Sequence, residues 1–115
     1  MQIQVNTDDH IQGGESLSRW VQEEAGNRLA RFREHVTRVE VFLSDVDAGK
    51  SGAADKRCVI ETRVAGRQPL AVNAEADKVA DAFLSAVDKL ARALDTDLGR
   101  LKDRHGRETI RTAEG

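Results

Sequence analysis

Val79, Phe83, Val87, Leu90, Leu94, Leu98 and Leu101 follow one another at spacings of 4, 4, 3, 4, 4 and 3. Only a helix of about 3.6 residues per turn brings such positions onto one stripe. The rest of the segment is largely charged or small, so the helix is apolar on one side and needs a second layer to cover it. The pattern predicts a helix that opens near Ala76, with Gly99 marking a kink or an end.

A second stripe runs from Glu15 to about Glu34: Leu17, Trp20, Val21, Ala25, Leu29 and Phe32, with Val36 just beyond. It predicts another one-sided helix. Gly26 in its middle costs roughly 1 kcal/mol against alanine, as at a site of close backbone packing. Trp20, Phe32 and Phe83 lie on the stripes and read as core.

The remaining segments alternate with period two, the mark of half-buried strands. "MQIQVNTD" sets Ile3 and Val5 against Gln2, Gln4 and Asn6. "TRVEVFLSD" sets Val39, Val41 and Leu43 against Arg38, Glu40 and Phe42. Phe42, out of phase, belongs at an edge or in an exposed contact. "KRCVIETRVAG" puts Cys58, Ile60, Thr62 and Val64 on one face, and "PLAVNA" turns Leu70 and Val72 inward. Pro69 has no N–H for a ladder, so it opens its strand or sits on an edge. "VDAGKSGAAD" reads as a hairpin loop and "AGRQ" as a turn.

The order is β-α-β-β-β-α. Three consecutive strands form an antiparallel meander. The first strand returns through a helix and must lie parallel to a meander strand. The expected fold is an α+β two-layer sandwich, a four-stranded mixed sheet with two helices packed on one face. One domain is expected over residues 1–104, with a flexible tail over 105–115.

Charged residues make up 33% of the 115 residues, above the usual quarter, yet the formal net charge is only −2. Long-range attraction to nucleic acid is therefore absent, and any such binding needs a local patch. One cysteine, Cys58, excludes a disulfide within the chain and a cysteine metal cluster. In phase with Ile60 and Val64, it reads as a small buried apolar residue. No signal-like or membrane-length apolar run occurs, so a cytoplasmic protein with no membrane partner is expected. His10, His35 and His105 lack ligand spacing, and no phosphate loop, nucleophile elbow or zinc-protease motif is present. No enzyme, cofactor, metal or small-molecule substrate is expected.

The bases stand out by position. Arg28, Arg31 and Arg33 fall at the end of the first helical segment, and Arg38 opens the next strand. Lys89 and Arg92 lie on the last helix, followed by Arg100, Lys102 and Arg104. From Leu98 to Arg111 there are five bases against two acids. Packed side by side, the helices could merge these into one phosphate-neutralising patch. A solvated helix face laced with pairs such as Asp88–Arg92 and Glu24–Arg28 accounts for the same charges.

"MQIQVNTDDHI", "RFREHVTRVEVFLSD", "DKRCVIETRVAGRQPLAV" and "DKLARALDTDLGRLKD", in that order and to about Arg104, resemble the ribosome hibernation-promoting factor and ribosome-associated inhibitor family, also labelled sigma-54 modulation proteins. The likeness is to its short, stand-alone branch. The resemblance implies the same β-α-β-β-β-α fold, similar to a double-stranded-RNA-binding domain with an added strand. It implies a partner, the small ribosomal subunit with its 16S rRNA and ribosomal proteins, bound in the messenger- and transfer-RNA channel. Translation would be blocked in stationary or stressed cells by occlusion alone. The candidate rRNA contacts are Lys89 and Arg92 in "DKLAR", and Arg28 where the family's first helix tends to carry a base. Arg31 and Arg38 follow by proximity, and Arg100, Lys102 and Arg104 at the basic end of the last helix. Asp95 and Asp97 stand where the best-known members would carry bases. They motivate the alternative, a protein-interaction module that keeps the fold and has lost rRNA binding.

Overall fold

The period-two segments become four strands in the computed structural model, which describes residues 1–11, 13–46 and 55–114, with side chains up to residue 99. They are β1 (Gln2–Thr7), β2 (Val36–Asp45), β3 (Lys56–Val64) and β4 (Leu70–Ala76). The two striped segments become α1 (Gly14–Arg28) and α2 (Val79–Glu114). The strands lie in the order β1-β2-β3-β4. β1 runs parallel to β2, with Ile3 beside Val39 and Val5 beside Val41, and α1 is the crossover that such pairing requires. β2–β3 and β3–β4 are antiparallel. The expected two-layer α+β sandwich is thus the observed one.

Pleating sends Val39, Val41 and Leu43 of β2 and Cys58, Ile60 and Val64 of β3 to one face, where all are buried. Val21, Ala25 and Leu29 from α1 and Phe83, Val87, Leu90 and Leu94 from α2 close over them. Trp20 is half-buried, not enclosed; its ring meets Phe83 edge-on, with centroids 5.6 Å apart at 70°. Such a contact adds to the area the rings bury. Among the described residues no helix covers the opposite sheet face. There Arg38 stands beside Arg63, Glu40 beside Glu61, and the half-buried Phe42 beside Val59.

Two boundaries differ from expectation. α1 stops at Arg28, and a short 3-10 turn covers Ala30–Phe32. A 3-10 turn repeats every three residues, so Leu29 and Phe32 stay on one side and the stripe looks unbroken. β4 runs on to Ala76, which delays α2 to Val79. Pro69 does directly precede its strand. Gly99 lies inside α2, whose backbone continues helically to Glu114, so residues 105–114 extend that helix. The expected hairpin loop falls largely on residues 47–54, outside the described residues.

A Cβ at Gly26 would meet Ile3 Cδ1 at 3.7 Å, an ordinary contact. Close packing therefore does not require glycine there. Gly26→Ala is expected to stabilise the protein by about 0.5–1 kcal/mol, read as a higher urea midpoint.

Cys58 is free and fully enclosed, and burial pushes its thiol up to about 12. At pH 8 thiol reagents are expected to label it only as the protein opens. Its folded-state pKa is raised, so its contribution is complete below the unfolded thiol's value, near 8.5. It is lost as pH climbs from there towards 12. Cys58→Ala should flatten that alkaline decline in unfolding free energy.

Candidate nucleic-acid interface

α1 follows β1 and runs back beside it, while α2 follows β4 and runs back over β4 and β3. Both helices therefore reach the same end of the sheet, where β2 begins and β3 turns into β4. Basic residues from three segments collect there: Arg28 ends α1, Arg31 and Arg33 lie in and after the 3-10 turn, and Arg67 sits in the β3–β4 turn, while Arg63 near the end of β3 lies beside Arg38 on the helix-free face. Ala65 donates to the His35 carbonyl at 2.8 Å, which ties the two connecting segments together. Gly66 takes a φ of 71°, left-handed backbone that glycine adopts without strain, and so turns the chain to present Arg67. Cations here also suit the negative end of the α1 dipole.

α2 brings carboxylates to this basic end. Arg31 donates Nη1 and Nη2 to Asp95 Oδ1 and Oδ2 at 2.5 and 2.9 Å. Arg67 donates Nε and Nη2 to Asp97 Oδ2 and Oδ1 at 2.7 and 2.8 Å. Both are two-pronged pairs. The hydrogen bond to Asp95 holds the Arg31 guanidinium above its usual pKa, and that to Asp97 does the same for Arg67. Arg31 also lies 4.3 Å over the Phe32 ring. Residues two apart on a helix project to different sides. Asp95 accordingly reaches the segment after α1, and Asp97 reaches the β3–β4 turn, so α2 is tied on both flanks.

The other candidates are placed as follows. Arg28 Nε pairs with Glu24 at 3.1 Å. Arg92 pairs with Asp88 one turn earlier. Lys89 lies on the flank of α2 away from Arg31 and donates Nζ to the Asn73 carbonyl of β4 at 3.0 Å. Arg38 points to the helix-free face, where it meets Gln4 and Glu40 at 3.0 Å each. It does not join the helix bases. The pleat gave that signal, because Arg38 alternates with buried Val39. The side chains of Arg100, Lys102 and Arg104 fall outside the described residues.

Arg33 and Arg63 are exposed and have no ion-pair partner among the described residues. Sequence reasoning passed over Arg67 as a site residue. Arg67 read only as part of a turn, and nothing local marks that turn as the neighbour of α2. Among the described residues no group of His, Cys, Asp or Glu could hold a metal ion, and no helix is long and apolar enough to cross a membrane.

Fold and charge together define a small α+β domain that presents arginines from several elements at one end of its sheet. Its sequence matches the family described as sigma 54 modulation protein / S30EA ribosomal protein over residues 3–105, and the chain belongs to that family. Two solved structures share the fold. A ribosomal subunit interface protein from Coxiella burnetii is 15% identical, with a TM-score of 0.66 over 86% of this chain and 99% of the other. The N-terminal domain of Thermus thermophilus Protein Y is 24% identical, with a TM-score of 0.63 over 84% of this chain and 98% of the other. A search of curated proteins finds no match.

Proposed function

We propose that this protein is a ribosome hibernation factor of the cytoplasm that occupies the messenger- and transfer-RNA channel of the small ribosomal subunit and silences translation by occlusion, without chemistry. The observation that carries the reading is family membership over nearly the whole chain, residues 3–105. The arginine-bearing end of the sheet supports it. Phosphate contacts from Arg28, Arg33, Lys89 and Arg92 would position the domain on 16S rRNA, with Arg100, Lys102 and Arg104 continuing along α2. Such contacts give affinity without reading sequence.

Cosedimentation of the full chain with purified small subunits tests this. Binding at low salt should weaken as salt rises, with log affinity falling by about 0.7–0.9 per phosphate neutralised. No binding at low salt would reject it.

One observation favours the second reading, a protein-interaction module: Arg28, Arg31, Arg38 and Arg92 already pair with carboxylates of this chain. A partner protein whose binding survives high salt and ignores RNA is the outcome that reading requires.

A further inference from the structure

Two features of the basic end go together. Arg31 and Arg67 each present a two-pronged fork, and each fork is filled by a carboxylate from α2. Two parallel N–H donors match a carboxylate and a phosphate alike. The two pairs approach α2 from opposite flanks, so the filled forks bracket the place where the helix passes the end of the sheet. Beside them stands Arg33, exposed and without an ion-pair partner among the described residues. Three arginines thus share one end of the helix layer, one unoccupied by carboxylate and two occupied.

We propose that Asp95 and Asp97 occupy the places of two RNA phosphates, so that this chain binds RNA by partner exchange, with Arg31 and Arg67 passing from the helix carboxylates to the phosphate backbone. The proposal rests on the ribosome-binding reading for its biological partner, and on the paired forks for its geometry. It makes Arg67 an RNA contact and gives Asp95 and Asp97 a defined task. They cancel two positive charges until a dense row of phosphates displaces them. A lone anion offers too little to displace both, so the device favours a polyanion over free phosphate.

Exposure orders the exchange. In the first pair the side chains of Arg31 and Asp95 are 58% and 50% exposed. In the second, those of Arg67 and Asp97 are 28% and 24% exposed. Water and salt screen the first pair more, so it gives way first.

The test uses the full chain and two probes, purified small ribosomal subunits and a short double-stranded RNA. Asp95→Asn with Asp97→Asn removes both negative charges and leaves each fork at most one accepting oxygen. Its affinity should rise at low salt for both probes. Its log affinity against log salt should steepen by up to about 1.4–1.8, the value for two further phosphates. Adding Arg31→Gln and Arg67→Gln should remove the gain. A control, Glu15→Gln with Asp81→Asn, changes net charge equally at exposed first-turn positions of the two helices and should gain much less.

An equal gain in the control would overturn the proposal, because bulk charge would then suffice. So would a double variant that loses thermal stability and gains no affinity, which would make the pairs braces for α2 alone. If duplex RNA shows the gain while small subunits are never bound, the exchange stands and the ribosome reading falls. If subunits are bound and neither probe shows a gain, the ribosome reading stands and the exchange falls.

Discussion

Leu90→Ala is expected to lower the unfolding free energy by about 2–5 kcal/mol, the range for a leucine cut back in a closed core. Leu90 has no exposed surface and lies midway along the buried stripe of α2. The stripe crosses β3 and β4, so the lost methyl groups sit between the two layers. Phe83, Leu94 and Ile60 of the same core are themselves fully enclosed and have little freedom to fill the gap. For a domain of this size such a loss is a large part of the whole stability. Urea unfolding is the measurement. The midpoint should fall with its slope unchanged, since the surface exposed on unfolding stays nearly the same. A shift below about 1 kcal/mol would mean that the stripe is not what holds the layers together.

Lys89→Glu with Arg92→Glu should cut small-subunit binding sharply at moderate salt and reduce the slope of log affinity against log salt by about 1.4–1.8. Both residues are exposed, and both lie off the buried stripe. Their present partners are the Asn73 carbonyl and Asp88. Surface changes of this kind leave stability within about 0.5 kcal/mol, so lost binding could not be put down to unfolding. Unchanged binding would move the contact from the middle of α2 to the end where Arg33 and Arg67 lie.

Periodicity made most of the fold legible before any coordinates. The middle of each helix stripe, Val21, Ala25 and Leu29 of the first and Phe83, Val87, Leu90 and Leu94 of the second, and the inward positions of β2 and β3 are buried in the structure. Pro69 marked a strand start because a missing N–H has only a few tolerable places. The end of α1 was hidden because a 3-10 turn keeps Leu29 and Phe32 in step with the helix stripe. The site was less legible, since charge along a sequence does not show which charges meet. Arg31 and Asp95 lie 64 residues apart, and Arg67 and Asp97 lie 30 apart. Only the return of α2 across the sheet brings them together. Asp95 and Asp97, read as departures from a basic helix, are the partners of two arginines.

The parallel pairing of β1 with β2 bears on how the chain acquires its shape. β2 pairs with β3 and β3 with β4 as antiparallel neighbours, contacts close in sequence and quick to form. β1 can pair only after the whole of α1 and its flanking turns have been drawn in, with Ile3 reaching Val39 across 36 residues. Closing that segment spends chain entropy before any ladder bond repays it. Of the four strands, the one synthesised before the others is thus the one that must wait for a later strand before it can join the sheet.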